Sequence, residues 1–146
     1  MAKIFPSIFP HDLDSPEMKK LGIQTEYEVY NKLKDLSDEF IIFCGPKFIR
    51  RDGFGNMRDG EYSDFIIIHK TKGVAFLECK GGSITHSSNE VRWYQNEKRL
   101  NKSPLQQASN GKFALRALLN SPKYKEEIEF DKINSIHGAI FPNTPE

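Results

Sequence analysis

Two apolar runs joined by a short polar link stand out along the chain. Residues 61–69 read Glu-Tyr-Ser-Asp-Phe-Ile-Ile-Ile-His, and residues 73–80 read Gly-Val-Ala-Phe-Leu-Glu-Cys-Lys. Near-continuous apolar residues mark strands buried on both faces, and the link is short enough for a hairpin. Upstream, Glu39–Cys44 reads as another strand. Ser15-Pro16-Glu17 predicts a helix start, with Ser15 as N-cap and Pro16 in the first helical position. The stripe of Val29, Leu33 and Leu36, with Gly22 on the same line, carries that helix to about Leu36. Residues 1–14, with two Phe-Pro steps, read as an irregular lead on the surface. Residues 45–60 form a glycine-punctuated loop. Short strand-like pieces follow near 83–86 and 91–95, with a turn at Asn96-Glu97-Lys98. Ser103-Pro104-Leu105-Gln106 reads as a capping box, Gln106 reaching back to the cap. It opens a helix to about Asn120, on which Gln107, Gly111, Ala114 and Leu118 share one face. Residues 132–141 read as a last strand, ended by Pro142. The order predicts one α/β domain, a central mixed β-sheet flanked by helices.

The hairpin is apolar except for Asp64, Glu78 and Lys80. Charged groups are costly to bury unless they pair or bind a metal. Glu78 and Lys80 are two apart, so they share a face. Asp64 joins them only if the loop has an odd number of residues. A three-residue loop, Thr71-Lys72-Gly73 with Gly73 left-handed, meets that condition. Ile66 then faces Glu78 and Asp64 faces Lys80. Asp64 and Glu78 become diagonal neighbours, roughly 7 Å apart at Cβ. That spacing lets two carboxylates grip one Mg²⁺, whose ligands lie at about 2.1 Å. Glu26 is a second anomaly, about 20° from Leu33 on the core-facing helix stripe at about 100° per residue. Each feature has a plainer alternative. The hairpin charges could form a structural ion pair, Glu26 could pair with a nearby lysine, and Gln107 could be a core-edge amide. Trp93 reads as a sheet-packing anchor.

A net charge of +1 neither predicts nucleic-acid binding nor excludes it where charge is local. Cys44 and Cys79 lie in apolar strands with no CxxC spacing, so they read as buried thiols of a reducing, cytoplasmic location. No apolar run approaches the roughly 20 residues of a membrane span, and Pro6 and Pro10 break any leader-like start. The four histidines show no zinc or triad spacing, and His69 beside the turn reads as a surface residue. Lys47, Arg50, Arg51 and Arg58 in the 45–60 loop are candidate phosphate contacts. Asp52 and Asp59 among them leave a solvated loop as the alternative.

Asp64 followed by Glu78-Cys79-Lys80 resembles the D…(D/E)xK signature of the restriction-endonuclease-like fold. The wider pattern is similar to the nuclease-related domain (NERD) family. The matching stretches are 24–30, 60–68, 73–82, Trp93-Tyr94 and Ser103–Ala108, in that order along residues 15–141. The resemblance implies that Asp64 and Glu78 ligate Mg²⁺ or Mn²⁺ with the Cys79 carbonyl. It implies that Lys80 orients the attacking water or stabilises the phosphate. Glu26 matches the family's helix glutamate, and Gln107 its helix glutamine at the edge of the site. Ser63 stands where the eponymous motif has proline. The implied function is metal-dependent hydrolysis of DNA in processing or repair, the alternative being an inactive DNA-binding or docking module of a helicase. A protein-interaction domain is a third reading. The lead and the Lys-Gly-Gly exit look most like domains at the N-terminus of superfamily I DNA helicases. They imply residues 1–146 as one N-terminal domain of a longer protein, with DNA and a helicase as partners, a homodimer as a further option, and no membrane.

Overall fold

The computed structural model describes residues 1–46, 50–51, 57–58 and 63–145. Five strands form the main sheet: β1 (Lys3–Phe5), β2 (Phe40–Cys44), β5 (Phe65–His69), β6 (Gly73–Cys79) and β10 (Ser135–Ile140), in the order β1-β2-β5-β6-β10. The outer pairs, β1–β2 and β6–β10, are parallel, and the two inner pairs are antiparallel. This is a mixed sheet, as the apolar pattern predicts. Helix α1 (Leu21–Lys34) packs Val29 and Tyr30 on one face of it, against Ile42, Cys44, Phe65 and Cys79. Helix α2 (Pro104–Leu119) covers the other face along β6 and β10 with buried Ala108, Gly111 and Ala114. Ile66, Phe76 and Phe130 form a second cluster there, with Leu115 and Leu119 against it. The arrangement is consistent with a restriction-endonuclease-like core. A two-stranded ribbon, β3 (Arg50–Arg51) with β4 (Met57–Arg58), and a three-stranded meander complete it. The meander is β7 (Ile84–Ser87), β8 (Arg92–Gln95) and β9 (Lys98–Arg99), the excursion that the sequence places between hairpin and second helix. Among the described residues no helix is long and apolar enough to cross a membrane.

Four local expectations are corrected. The lead is not irregular surface. It supplies β1 and buries Ile4, while Phe9 packs on Tyr27 and Tyr30 at 5.1 and 5.3 Å between ring centroids. The first helix is not continuous from Pro16. The Ser15 hydroxyl donates to the Asp12 carbonyl (2.7 Å) instead of capping, so Pro16–Lys19 makes one 3-10 turn. Lys20 is then extended and the α-helix begins at Leu21. His69 is buried rather than on the surface. It stands edge-on to Phe40 at 4.8 Å, and its Nδ1 accepts the Thr71 N–H at 3.1 Å.

The hairpin register differs by two residues from the expected one. His69 pairs with Gly73 and Phe65 with Leu77, so the loop is Lys70-Thr71-Lys72. Gly73 has φ +121, yet it belongs to the strand. Its neighbour Val74 donates to the Asn134 carbonyl (2.9 Å), and a Cβ on Gly73 would lie 2.1 Å from that oxygen. Close approach to the entry of β10 therefore starts the strand at Gly73. The loop stays odd, so Asp64 keeps the face of Glu78. One further ladder step sets Asp64 level with Glu78 rather than with Lys80. For the second helix the sequence signal holds: the Ser103 hydroxyl accepts the Gln106 N–H at 3.4 Å. The return bond from the Gln106 side chain is not present among the described residues.

Candidate active site

Where β6 ends, its side chains and the start of α1 enclose a cavity of about 530 Å³. It is lined by Leu21, Gly22 and Glu26 of α1, by Asp64, and by Glu78, Cys79, Lys80 and Gly81 at the exit of β6. The meander closes it with Gln95, Asn96, Lys98 and Leu100. Gly81 lets the helix come this close. A Cβ there would lie 2.1 Å from Thr25 Oγ1 and 3.0 Å from Leu21 Cγ. Thr25 is 1% exposed, and its hydroxyl donates to the Leu21 carbonyl at 2.8 Å. Glycine at 81 thus seats the first turn of α1 on the strand end and brings Glu26 to the cavity.

Each charged group has a defined setting. Asp64 Oδ2 accepts the Cys79 N–H at 2.6 Å, which fixes the aspartate beside β6. Glu78 is 8% exposed, and its Oε1 lies 3.2 Å from Lys80 Nζ. Burial, and then the nearby Asp64 carboxylate, push the Glu78 pKa from 4.5 to about 7, against the lowering effect of Lys80. The Cys79 thiol is pushed up by burial and by the charges of Asp64, Glu26, Glu78 and Cys44, so it stays protonated. The same causes put three carboxylates within electrostatic reach of one point. Both cysteines are buried thiols that form no disulfide.

The structure brings together five of the sequence-predicted residues: Glu26, Asp64, Glu78, Cys79 and Lys80. It leaves Gln107 off the cavity. That side chain lies in α2 beside buried Ala108, and its Oε1 is buried without a hydrogen-bond partner among the described residues. The Ser63 hydroxyl, next to Asp64, is in the same condition. Lys47 lies outside the described residues, as do the side chains of Arg50, Arg51 and Arg58; the backbone of these arginines forms the β3–β4 ribbon. Trp93 packs between His86 and Phe141, at 4.6 and 5.8 Å, as a packing anchor would. Sequence reasoning missed Gln95, Asn96, Lys98 and Leu100. The turn at 96–98 was visible, but nothing local told that it folds back over the exit of β6.

The nuclease-related domain model matches residues 21–141. The chain belongs to the nuclease-related domain family. No curated protein and no solved structure matches it. The matched span opens at the first residue of α1 and closes just after β10, so it contains every residue lining the cavity. Family membership gives the domain a nuclease-related function.

Among the described residues, no three His, Cys, Asp or Glu side chains are arranged as a ready metal cage. The charged donors at the cavity are carboxylates, the thiol is held protonated, and among the described residues no histidine lines it. Hard oxygen donors suit Mg²⁺ or Mn²⁺ rather than zinc. Mg²⁺ in phosphoryl-transfer sites keeps several waters and takes one or two carboxylates plus the substrate's phosphate, so a three-ligand cage is not required. The residues present therefore fit such an ion.

Proposed function

We propose that the domain hydrolyses DNA phosphodiester bonds with the help of Mg²⁺ or Mn²⁺, in DNA processing or repair beside a superfamily I helicase. One observation carries the chemistry. Three carboxylates and a lysine from three separate segments converge on a single cavity, and burial alone does not explain so much charge in one place. The family resemblance supports the helicase setting and the choice of DNA.

Asp64 and Glu78 would hold the ion, with Glu26 across the cavity to bind its waters or a second ion. When bound, a divalent cation lowers the pKa of an attacking water and neutralises charge developing on the phosphate. The chain supplies the rest. The Asp64 carboxylate is preset by the Cys79 N–H, which holds it at the cavity wall. Glu78, its pKa raised to about 7 by burial and Asp64, would bind the ion as the deprotonated carboxylate. Lys80 is 20% exposed over its side chain and points its ammonium at the same place. From there it orients water or pairs with the phosphate oxygens in the transition state.

Labelled single-stranded, duplex and forked DNA, incubated with Mg²⁺, Mn²⁺ or EDTA, tests this. The wild-type protein should cut only with a divalent ion, and Glu78→Ala and Lys80→Ala should both abolish cutting. Cutting that persists in EDTA or in both variants refutes the assignment. Salt-sensitive DNA binding with no cutting by folded wild-type protein would leave a binding module in its place.

A further inference from the structure

One wall of the cavity is not used by the carboxylates or by Lys80. It is the β8–β9 hairpin. Gln95 pairs with Lys98 across the ladder, and both line the cavity together with Asn96 and Leu100. Directly opposed residues share a face of an antiparallel pair, and the next pair points the other way. The next pair here is Tyr94 with Arg99. Lys98 and Arg99 are therefore consecutive cations sent to opposite faces of one hairpin, and only Lys98 lines the cavity.

The wall is tied to the segment that carries Lys80. Gln95 Nε2 donates to the Gly81 carbonyl at 2.8 Å. The Asn96 N–H donates to the Ser83 carbonyl, and Asn96 Oδ1 accepts the Ser83 N–H, both at 2.9 Å. Asn96 and Glu97 have φ 47 and 68, the left-handed pair of a tight two-residue hairpin turn. From the other side, the Thr144 hydroxyl accepts the Ile84 N–H at 3.0 Å and donates to the Gly82 carbonyl at 3.1 Å. Lys98 thus stands at a fixed place relative to the exit of β6.

The two lysines of the cavity are differently engaged. Lys80 is held 3.2 Å from Glu78. Lys98 is exposed and has no acidic partner among the described residues. A strand whose scissile phosphate reached the carboxylates would carry its neighbouring phosphates over the cavity wall. In a chain of net charge +1, attraction for such a polyanion depends on where single cations stand.

We propose that Lys98 is a phosphate-binding positioning residue. It holds a backbone phosphate next to the one at the carboxylates and seats the nucleic-acid strand across the β8–β9 hairpin. The location beside a bond to be cut rests on the nuclease proposal; the phosphate contact is tested separately from cutting.

The probe is a labelled single-stranded oligonucleotide, titrated with wild type, Lys98→Ala, Lys98→Arg and Arg99→Ala over a series of NaCl concentrations. Ca²⁺ replaces Mg²⁺ in the titration to keep the strand whole. Lys98→Ala should weaken binding several-fold and flatten the plot of log affinity against log salt by about 0.7, the loss of one phosphate contact. Lys98→Arg should restore the slope. Arg99→Ala makes the same change in net charge on the opposite face and should leave the slope at the wild-type value. With Mg²⁺, Lys98→Ala should raise KM far more than it lowers kcat. Equal slopes for Lys98→Ala and wild type overturn the inference, as does an equal loss in Arg99→Ala, and in either case wild-type cutting still stands. Absence of cutting with a slope change confined to Lys98 supports the contact and removes the nuclease proposal alone. No binding by the folded wild-type protein overturns it.

Discussion

Replacing Glu78 by glutamine should make the metal-free domain more stable near neutral pH, although it removes a charged partner of Lys80. Glu78 is 8% exposed and its pKa is raised from 4.5 to about 7 by burial and by Asp64. Such a group takes up a proton on folding between those two values. Its contribution to stability is complete below pH 4.5 and is lost as pH rises through about 7. At about 1.4 kcal/mol per pKa unit the loss approaches about 3 kcal/mol. Solvent at the cavity mouth screens part of it, leaving on the order of 2–3 kcal/mol. Glutamine stays neutral and can still accept a hydrogen bond from Lys80. Urea denaturation in EDTA, from about pH 5 to about pH 8, measures the effect. The stability of Glu78→Gln minus that of wild type should grow by roughly 2–3 kcal/mol across that range, rising between 4.5 and about 7 and levelling off above. Adding Mg²⁺ near pH 8 should recover stability in the wild type by mass action on the folded state, and not in the variant. Parallel pH profiles for the two proteins would refute the claim that Glu78 is a buried carboxyl opposed by Asp64.

Two further outcomes follow from the packing around the site. Gly81→Ala adds a Cβ 2.1 Å from Thr25 Oγ1. It should cost about 1–3 kcal/mol in urea denaturation and abolish cutting without touching any charged group; unchanged stability and activity would contradict the close seating of α1. Cys44 and Cys79 are buried, and the Cys79 thiol is pushed well above its usual range. Iodoacetamide should therefore leave both unmodified in the native protein and label both in denaturant, as read by mass spectrometry; rapid native labelling would contradict their burial.

Most of the site was legible in the sequence because its charges sit where charges are costly. Asp64, Glu78 and Lys80 interrupt an otherwise apolar hairpin, and Glu26 lies on an apolar helix stripe. The face they share depends only on the parity of the loop, so it survived a register displaced by two residues. The register itself was hidden, because Gly73 looks like a turn glycine and its real constraint is Asn134, more than sixty residues away in β10's approach. β1 was hidden for the same kind of reason. Three residues with one inward side chain carry little pattern, and their pairing with β2 is a long-range event. Ser15-Pro16 gave a sound helix signal, but the Ser15 hydroxyl bonds backward to Asp12. The meander's residues are polar and alternate weakly. Their part in the cavity comes from bonds to Gly81 and Ser83, which no local pattern announces. Gln107 matched the family's helix glutamine, and it is not among the residues that line the cavity.

The proposed hydrolysis depends on Asp64 and Glu78 forming one divalent-cation site. Mn²⁺ titration followed by electron paramagnetic resonance measures this without DNA and without turnover, because the signal of free Mn²⁺ falls as the ion binds. The wild-type domain should bind Mn²⁺ saturably and Lys80→Ala should still bind it, whereas Asp64→Ala and Glu78→Ala should each lose the binding. Undiminished Mn²⁺ affinity in both carboxylate variants, with their fold intact, would contradict the site.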